Sequence, residues 1–303
     1  MKAVYANKRS IRRSTMSDRL FAGCNYLLML GLTVSILYPF WQTIVLSFTG
    51  SDEATTLGFH LWSQEWSLEA YKFLFTYDDI IGPYINTVIR TVAGTAIGVA
   101  FTIIAAYPLA KRELPYRNMI TIYFLIPMFF GGGLIPTYLL IKSIGLQNNF
   151  LVLLIPPAVS IFNVVIMRNY FMTIDKTYEE SAFMDGASYT TLLIRILLPI
   201  SLPVLVTIAL WDAVAHWNAW FDAMIYITDR NKLVIQVVLR EMLTAVNERA
   251  NDVMEYSGQT HYQLSLTNVR AAVVLLSIGP IVLVYPYIQK YFVKGITLGS
   301  LKG

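Results

Sequence analysis

Six apolar stretches, each long enough to cross a bilayer, constrain this sequence more than any other feature. They run at about 21–48, 84–110, 119–140, 150–171, 196–227 and 271–293. A spanning helix needs about 20 mostly apolar residues. Charged residues make up 14% of the 303-residue chain and hydrophobic ones 56%, whereas a soluble domain carries about 25% charged residues. One water-facing core cannot hide that surplus, so lipid is the natural solvent. The expected fold class is an all-α membrane protein with six transmembrane helices. Gly131, Gly132, Gly133 and Pro136 interrupt the third stretch, and Pro199 and Pro203 open the fifth. Such breaks are tolerated where neighbouring helices or waters satisfy the freed backbone groups. The single cysteine, Cys24, excludes a disulfide framework, and His60, His216 and His261 form no metal-ligand pattern. A net charge of +4 does not suggest nucleic acid.

Lys and Arg fix the expected orientation, because they concentrate in cytoplasmic loops. Lys2, Lys8, Arg9, Arg12, Arg13 and Arg19 precede the first span. Lys111, Arg112 and Arg117 lie between the second and third, and Arg168, Lys176 and Arg195 flank the turn from the fourth to the fifth. Lys290, Lys294 and Lys302 close the chain. The opposite side carries Lys72 among Asp52, Glu53, Glu65, Glu69, Asp78 and Asp79, and then Lys142. Both termini are therefore expected in the cytoplasm. The first apolar run is too long for a signal-peptide core and lacks a small-residue cleavage site, so it reads as a retained helix. The chain divides into a basic segment 1–20, a first span with an aromatic outer loop 21–83, a core 84–293 and a tail 294–303. Trp62, Trp66, Tyr71, Phe73, Phe75 and Tyr77 suggest a folded cap or interfacial segment in that outer loop. Residues 134–145 are expected along the outer interface, and the 228–270 loop is long and mixed in charge.

The segment 173–199 carries the most distinctive residues. It contains Thr177-Tyr178-Glu179-Glu180-Ser181-Ala182-Phe183-Met184-Asp185-Gly186-Ala187-Ser188 and runs on to Ile196-Leu197-Leu198-Pro199. Thr177 and Glu180 have capping-box spacing, and Glu179 and Glu180 suit the first turn of a helix. Ala182 and Gly186, four apart, would make a small face that another surface can approach closely. Gly186 can end the helix in the left-handed conformation. Ser188 can cap a second helix over 189–198, which Pro199 would break. The product is two short helices at an angle, exposed between two spans and suited to docking a partner. An ordinary solvated helical hairpin is the alternative.

This pattern resembles the signature loop of permease subunits of ATP-binding-cassette importers, Glu-Ala-Ala, three residues, Gly, nine residues, Ile-x-Leu-Pro. Here it reads Glu180-Ser181-Ala182, Gly186 and Ile196-Leu197-Leu198-Pro199, with Ser181 in place of the first Ala. Asn86-Thr87, the run Ala105-Ala106-Tyr107-Pro108-Leu109-Ala110, Trp217-Asn218-Ala219-Trp220-Phe221-Asp222 and the end of the chain from Tyr285 resemble the carbohydrate-uptake branch. Within it, the second permease of the maltose importer and permeases for polysaccharides such as alginate or pectin fragments are most similar. The resemblance implies a type I (MetI-like) permease core with cytoplasmic coupling helices in a bacterial inner membrane. It implies ATP-driven import of oligosaccharide or polysaccharide, with no enzymatic activity and no cofactor on this chain. The implied partners are a second related permease, two ATPase subunits that hold ATP-Mg, and an extracytoplasmic solute-binding protein. Glu179, Glu180, Ser181, Ala182, Asp185, Gly186, Ala187 and Pro199 would couple to the ATPase. Lys294, Gly295, Gly299 and Lys302 in the tail would also reach it. A glycerol phosphate or polyol permease of the same architecture is the runner-up.

Ionisable residues within spans are functional candidates by default. Arg90 reads either as a translocation-path residue or as a snorkelling anchor. Asp212 and His216 are spaced i,i+4, share a helix face and could hydrogen-bond. With Trp217, Asn218 and Trp220 they form a candidate sugar-path wall, since aromatic rings stack on sugar faces and carboxylates and amides bind hydroxyls. An inter-helix polar clamp with an aromatic belt is the competing reading. Gly94 and Gly98 permit close helix packing. No phosphate-binding glycine loop occurs, and no repeated halves suggest an ion-driven secondary transporter. An intramembrane enzyme would have only Asp212 and His216 to work with.

Overall fold

The computed structural model describes residues 16–50, 53–55, 58–77, 80–244, 267–284 and 286. These residues are helical and carry no strand, apart from one isolated bridge between Thr49 and Trp66. Among the described residues three helices are each long and apolar enough to cross a membrane, and counting each of three bent pairs as one span brings the number to six. The expected all-α architecture is what the chain adopts.

Helix α1 (Met16–Ser47) has 32 residues, about 48 Å at 1.5 Å per residue. None of its 18-residue apolar window is buried among the described residues. Its last turn leads into the aromatic loop, where α2 (Glu69–Tyr77) lies. That loop is a folded cap: Gly50 N–H donates to the Glu65 carbonyl at 2.8 Å and Ser67 N–H to the Phe48 carbonyl at 2.7 Å. Phe48 lies against Trp66 and Tyr71, and Asn268 donates to the Thr49 carbonyl at 2.7 Å.

The cap is tied by one carboxylate. Glu53 accepts from the Gln64 and Glu65 N–H groups and from the Ser63 hydroxyl. Burial pushes the Glu53 carboxyl up, but these donors and the nearby His60 outweigh it and hold it below the ordinary carboxylate value. A carboxylate with a lowered folded pKa stabilises above its unfolded pKa and loses that contribution as pH falls through the folded one. Proteolytic nicking in 58–68 should therefore stay low at neutral pH and rise in the acid range below the ordinary carboxylate pKa. Glu53→Gln should raise nicking already at neutral pH; unchanged nicking at both pH values would show that Glu53 does not hold the cap.

Helix α3 (Ile81–Ala110) is the central span. Its buried residues are Pro83, Thr87, Arg90, Gly94, Gly98, Thr102, Ala106 and Leu109, one stripe at helical spacing. The packed stripe is small and polar while Ile85, Val92 and Ile104 are exposed, as expected where lipid is as apolar as any core and close backbone approach drives packing. Helices α4 (Arg117–Phe129) and α5 (Leu134–Ser143) are bent by 113° at Gly133, whose φ is +84°. The third apolar stretch thus folds back, and α5 does not continue the α4 axis. Turns at Phe150–Leu153 and Pro156–Ala158 lead into α6 (Ile161–Thr173), where the Ser160 hydroxyl accepts from the Asn163 N–H.

Helix α7 (Thr177–Met184) and α8 (Tyr189–Ile200) precede α9 (Leu202–Asn218), and α8 and α9 are bent by 82°. Pro199 does not break α8. A π-helical turn at Leu193–Leu197 widens the coil just before it and relieves the clash its ring would make with the preceding turn. The break falls at Ser201, ahead of Pro203, which sits in the first turn of α9, where proline is tolerated. The fifth span ends at Asn218, short of 227. A separate short helix α10 (Phe221–Tyr226) follows, then α11 over 235–244 and α12 (Thr267–Val284). The pair Asn86-Thr87 anchors the approach to α11. Asn86 donates to the Asn231 and Leu233 carbonyls, and the Thr87 hydroxyl accepts from the Ile235 N–H at 2.8 Å.

Candidate functional site

The helix pair α7–α8 forms at one end of the bundle, and its caps explain its shape. Asp175 caps α7: its Oδ1 accepts from the Thr177 N–H at 2.9 Å and from the Thr177 hydroxyl at 2.7 Å. The Thr177–Glu180 capping box is not formed: Thr177 is the first residue inside α7, and the Glu180 N–H donates to the Lys176 carbonyl at 3.0 Å. At the other end Ala187 N–H donates to the Ala182 carbonyl and Gly186 N–H to the Phe183 carbonyl. That is a Schellman closure, and Gly186 supplies the required positive φ of +78°. The Ser188 hydroxyl then accepts from the Thr191 N–H, as its position predicts.

The elbow has two different sides. Ala182 is 5% exposed and packs with Ala106, Leu109, Leu192 and Leu197. It therefore does not share an outward small face with Gly186; the left-handed residue ends the helix, so the i,i+4 relation no longer holds. Glu179 pairs with Lys111 at 2.5 Å, and Lys111 lies over the Tyr107 ring, tying α7 to the end of α3. Ala187 is partly buried against the same cluster. Glu180, Ser181, Asp185, Gly186 and Pro199 are exposed. Around them stand Tyr178, Tyr189 and Met184, the last 88% exposed, with Phe183 edge-on to Tyr189 at 5.0 Å. A cleft of about 360 Å³ runs beside α7, lined by residues that include Tyr107, Lys111, Glu179, Phe183 and Tyr189. Sequence spacing missed Lys111 and these exposed apolar residues. An apolar side chain at a solvated helix end, Met184, was the signal available.

The intramembrane candidates sit at the α3–α9 contact and at the break after α9. A Cβ on Gly94 would lie under 3.0 Å from atoms of the His216 ring, and one on Gly98 would lie 2.8 Å from Asp212 Oδ2. Two glycines one turn apart on α3 thus receive two polar side chains one turn apart on α9. Asp212 and His216 do not pair: Asp212 Oδ1 accepts from the Asn163 side-chain amide on α6 at 2.7 Å. Arg90 is 1% exposed. It donates to the Ala219 carbonyl at 3.0 Å and forms an ion pair with Asp222. Ala219 is the C-cap of α9 and Asp222 lies in the first turn of α10. Arg90 therefore satisfies a helix C-terminus, where a cation is favoured, and clasps the break between two helices. It is not a snorkelling side chain.

Trp217 is buried, donates to the Ser277 carbonyl on α12 at 2.9 Å and meets Tyr84 edge-on. Asn218 is exposed, and its amide donates to the Val214 carbonyl. Trp220 is half-buried with Arg240 stacked 3.8 Å from its ring centre. Arg90, His216 and Trp217 are thus buried between helices, Asp212 and Trp220 are half-buried, and Asn218 is exposed. Lys294, Gly295, Gly299 and Lys302 lie outside the described residues.

Comparison with known proteins adds to this geometry. Residues 98–298 match the family described as binding-protein-dependent transport system inner membrane component. Protein LplC of Bacillus subtilis is 37% identical over 96% of this chain and 97% of its own. The polygalacturonan/rhamnogalacturonan transport system permease protein YtcP of Bacillus subtilis is 36% identical over 95% of this chain and 100% of its own. A solved bacterial ABC transporter involved in the import of the acidic polysaccharide alginate aligns with a TM-score of 0.81 and 31% identity, covering 92% of this chain and 98% of that one. Up to six spans, an elbow of matching spacing and a family match over about two thirds of its length lead to one conclusion: the chain belongs to the binding-protein-dependent transport system inner membrane components, the permease subunits of ABC transporters, and is a transport component rather than an enzyme.

Proposed function

We propose that this chain is a permease subunit of an ATP-driven importer of oligosaccharides or polysaccharide fragments, acidic ones included. The substrate class is supported by the pectin-fragment and alginate transporters among its relatives. It encloses the path with a second, related permease, takes its solute from an extracytoplasmic binding protein and sits on two ATPase subunits. ATP-Mg binds on those subunits and not on this chain. Both termini face the cytoplasm, in keeping with the Lys and Arg bias, and the tail residues Lys294, Gly295, Gly299 and Lys302 touch the ATPase pair.

The observation that carries this reading is the elbow. Glu180, Ser181, Asp185 and Gly186 are exposed for a partner, while Ala182, Ala187 and the Glu179–Lys111 pair fasten the inner side to the bundle. A push on α7 is thereby delivered to α3 directly and to α9 through α8. Nucleotide binding biases a two-state bundle through this joint. In the path, Asn218 and Trp220 face solute, while Arg90, Asp212, His216 and Trp217 position the helices.

Gly186→Trp tests the joint. Among the described residues nothing lies within 4 Å of a Cβ at this position, so the bulk is directed at the partner, although φ at +78° also disfavours Trp. Gly186→Asn controls for that, since Asn tolerates the left-handed conformation. Transport and sugar-stimulated ATP hydrolysis should vanish in the Trp variant with membrane insertion intact, and the Asn variant should keep most of both. Normal transport with Gly186→Trp refutes the docking role. Sugar-dependent ATP hydrolysis by the reconstituted complex, screened against neutral and uronic-acid oligosaccharides, tests the substrate class.

A further inference from the structure

At the same end of the bundle as the elbow lies a second cavity that the coupling role does not use. It has a volume of about 560 Å³ and is lined by residues that include Arg112, Tyr116, Arg117, Asn118, Met119 and Met172. Among the described residues no carboxylate lines it. Arg168 lies within electrostatic range of Arg117, with its Nε held by the Leu109 carbonyl at 3.1 Å. Among the described residues none of these three arginines has a carboxylate within ion-pair distance. Like charges gathered here repel, weakly where solvent screens them as at the exposed Arg112, and an entering anion removes that repulsion. Tyr116, between Arg112 and Arg117, has a φ of +56°, which is uncommon for a bulky residue. Its backbone turns the chain there, and both arginines line the one cavity.

The cavity also has an apolar side. It sits where α4 begins and α6 ends, at the ends of two spans, and Met119, Met172 and Tyr116 are exposed beside the arginines. A ligand that fits carries negative charge at one end and hydrocarbon at the other. We propose that this cavity binds the headgroup of an anionic phospholipid of the inner leaflet, with Arg112 and Arg117 on the phosphate and the acyl chains along Met119. Basic pockets between spans on the cytoplasmic side are known lipid sites in general, and guanidinium groups match phosphate oxygens in pairs. A bound lipid would hold the α3–α4 turn beside the elbow, since Arg112 also lines the cleft along α7. The assignment rests on the cytoplasmic placement of this turn.

The test uses the assembled transporter, purified and titrated with phosphatidylglycerol or phosphatidylcholine, with retained lipid counted by native mass spectrometry. Wild type should retain phosphatidylglycerol about tenfold better than phosphatidylcholine. An Arg112→Gln, Arg117→Gln double variant should lose that preference, and an Arg112→Lys, Arg117→Lys double variant should keep most of it, as expected at about 1 kcal/mol per basic residue near an anionic surface. Undiminished phosphatidylglycerol retention by the Gln variant overturns the proposal. So does release of the lipid by millimolar inorganic phosphate alone, which would mark a soluble-anion site. Loss of the ATPase from the Gln variant with lipid retention unchanged would assign the arginines to a protein contact instead. Glu113→Cys in a Cys24→Ser background, labelled in intact cells with an impermeant thiol reagent, reports the side of the membrane separately. Labelling there would remove the inner-leaflet premise without touching the lipid count.

Discussion

Asp222→Ala should destabilise the chain by about 3 kcal/mol, and Arg90→Met should cost clearly less. Breaking a buried ion pair from one side costs about 3–5 kcal/mol because a charge is left uncompensated. Arg90 is 1% exposed and the Asp222 side chain 28%, so the two partners are not equivalent. Without Asp222 the guanidinium stays buried with only the Ala219 carbonyl as a described partner. Without Arg90 the carboxylate still reaches solvent and keeps the Ala223 N–H at 2.8 Å. The lower end of the range applies because Asp222 is partly hydrated already. Thermal melting of the purified transporter should rank wild type, the Arg90→Met, Asp222→Ala double variant, Arg90→Met and Asp222→Ala in descending order. If Arg90→Met proves the more damaging single change, the clasp is held by the arginine's packing and not by charge.

The second large effect lies one turn along α3. Gly94→Ala should cost about 1–3 kcal/mol, the range for overpacking a filled site, because its methyl group would overlap the His216 ring. Gly98→Ala should cost less, since the atom it meets is the carboxylate end of Asp212, which can rotate away from α3. His216→Ala alone opens a void and destabilises. Combined with Gly94→Ala it should recover part of the loss, because the new methyl group enters the space the ring leaves. Additive losses in the double variant would show that Gly94 is not the socket for His216. Transport assays on the same variants separate helix positioning from contact with solute. A positioning role predicts that transport falls in step with the folded fraction and that relative uptake across sugars is unchanged.

The spans were legible because lipid imposes one rule at a time: about 20 apolar residues and a helix. The elbow was legible because its caps are local. Gly186 and Ser188 act through backbone within a few residues of themselves, so their types and spacing suffice. Asp175 was missed as the cap because Thr177 offered the same chemistry two residues later, and the competition between them is settled by backbone direction. Pro199 misled for a related reason: a proline ends a helix unless the preceding turn widens, and nothing in composition announces a π turn.

The polar residues within the spans show where sequence stops. Arg90, Asp212, His216 and Asp222 announced that something polar happens in α3, α9 and α10. They did not say whether these groups face solute or each other. Gly94 and Gly98 read as packing glycines, and only the superposed turns of α3 and α9 show that each glycine receives a particular side chain. Arg90 meets Asp222 across 132 residues of chain, a pairing set by where α9 breaks.

By itself, the order of residues determined the solvent, the candidate spans and the capped shape of the elbow, because each depends on composition or on contacts within one or two helical turns. The tertiary structure alone decided which faces are spent inside the bundle and which remain for partners. Within a membrane both faces of a helix can be apolar or polar alike, so hydropathy cannot orient them. The fit of small residues against large ones does.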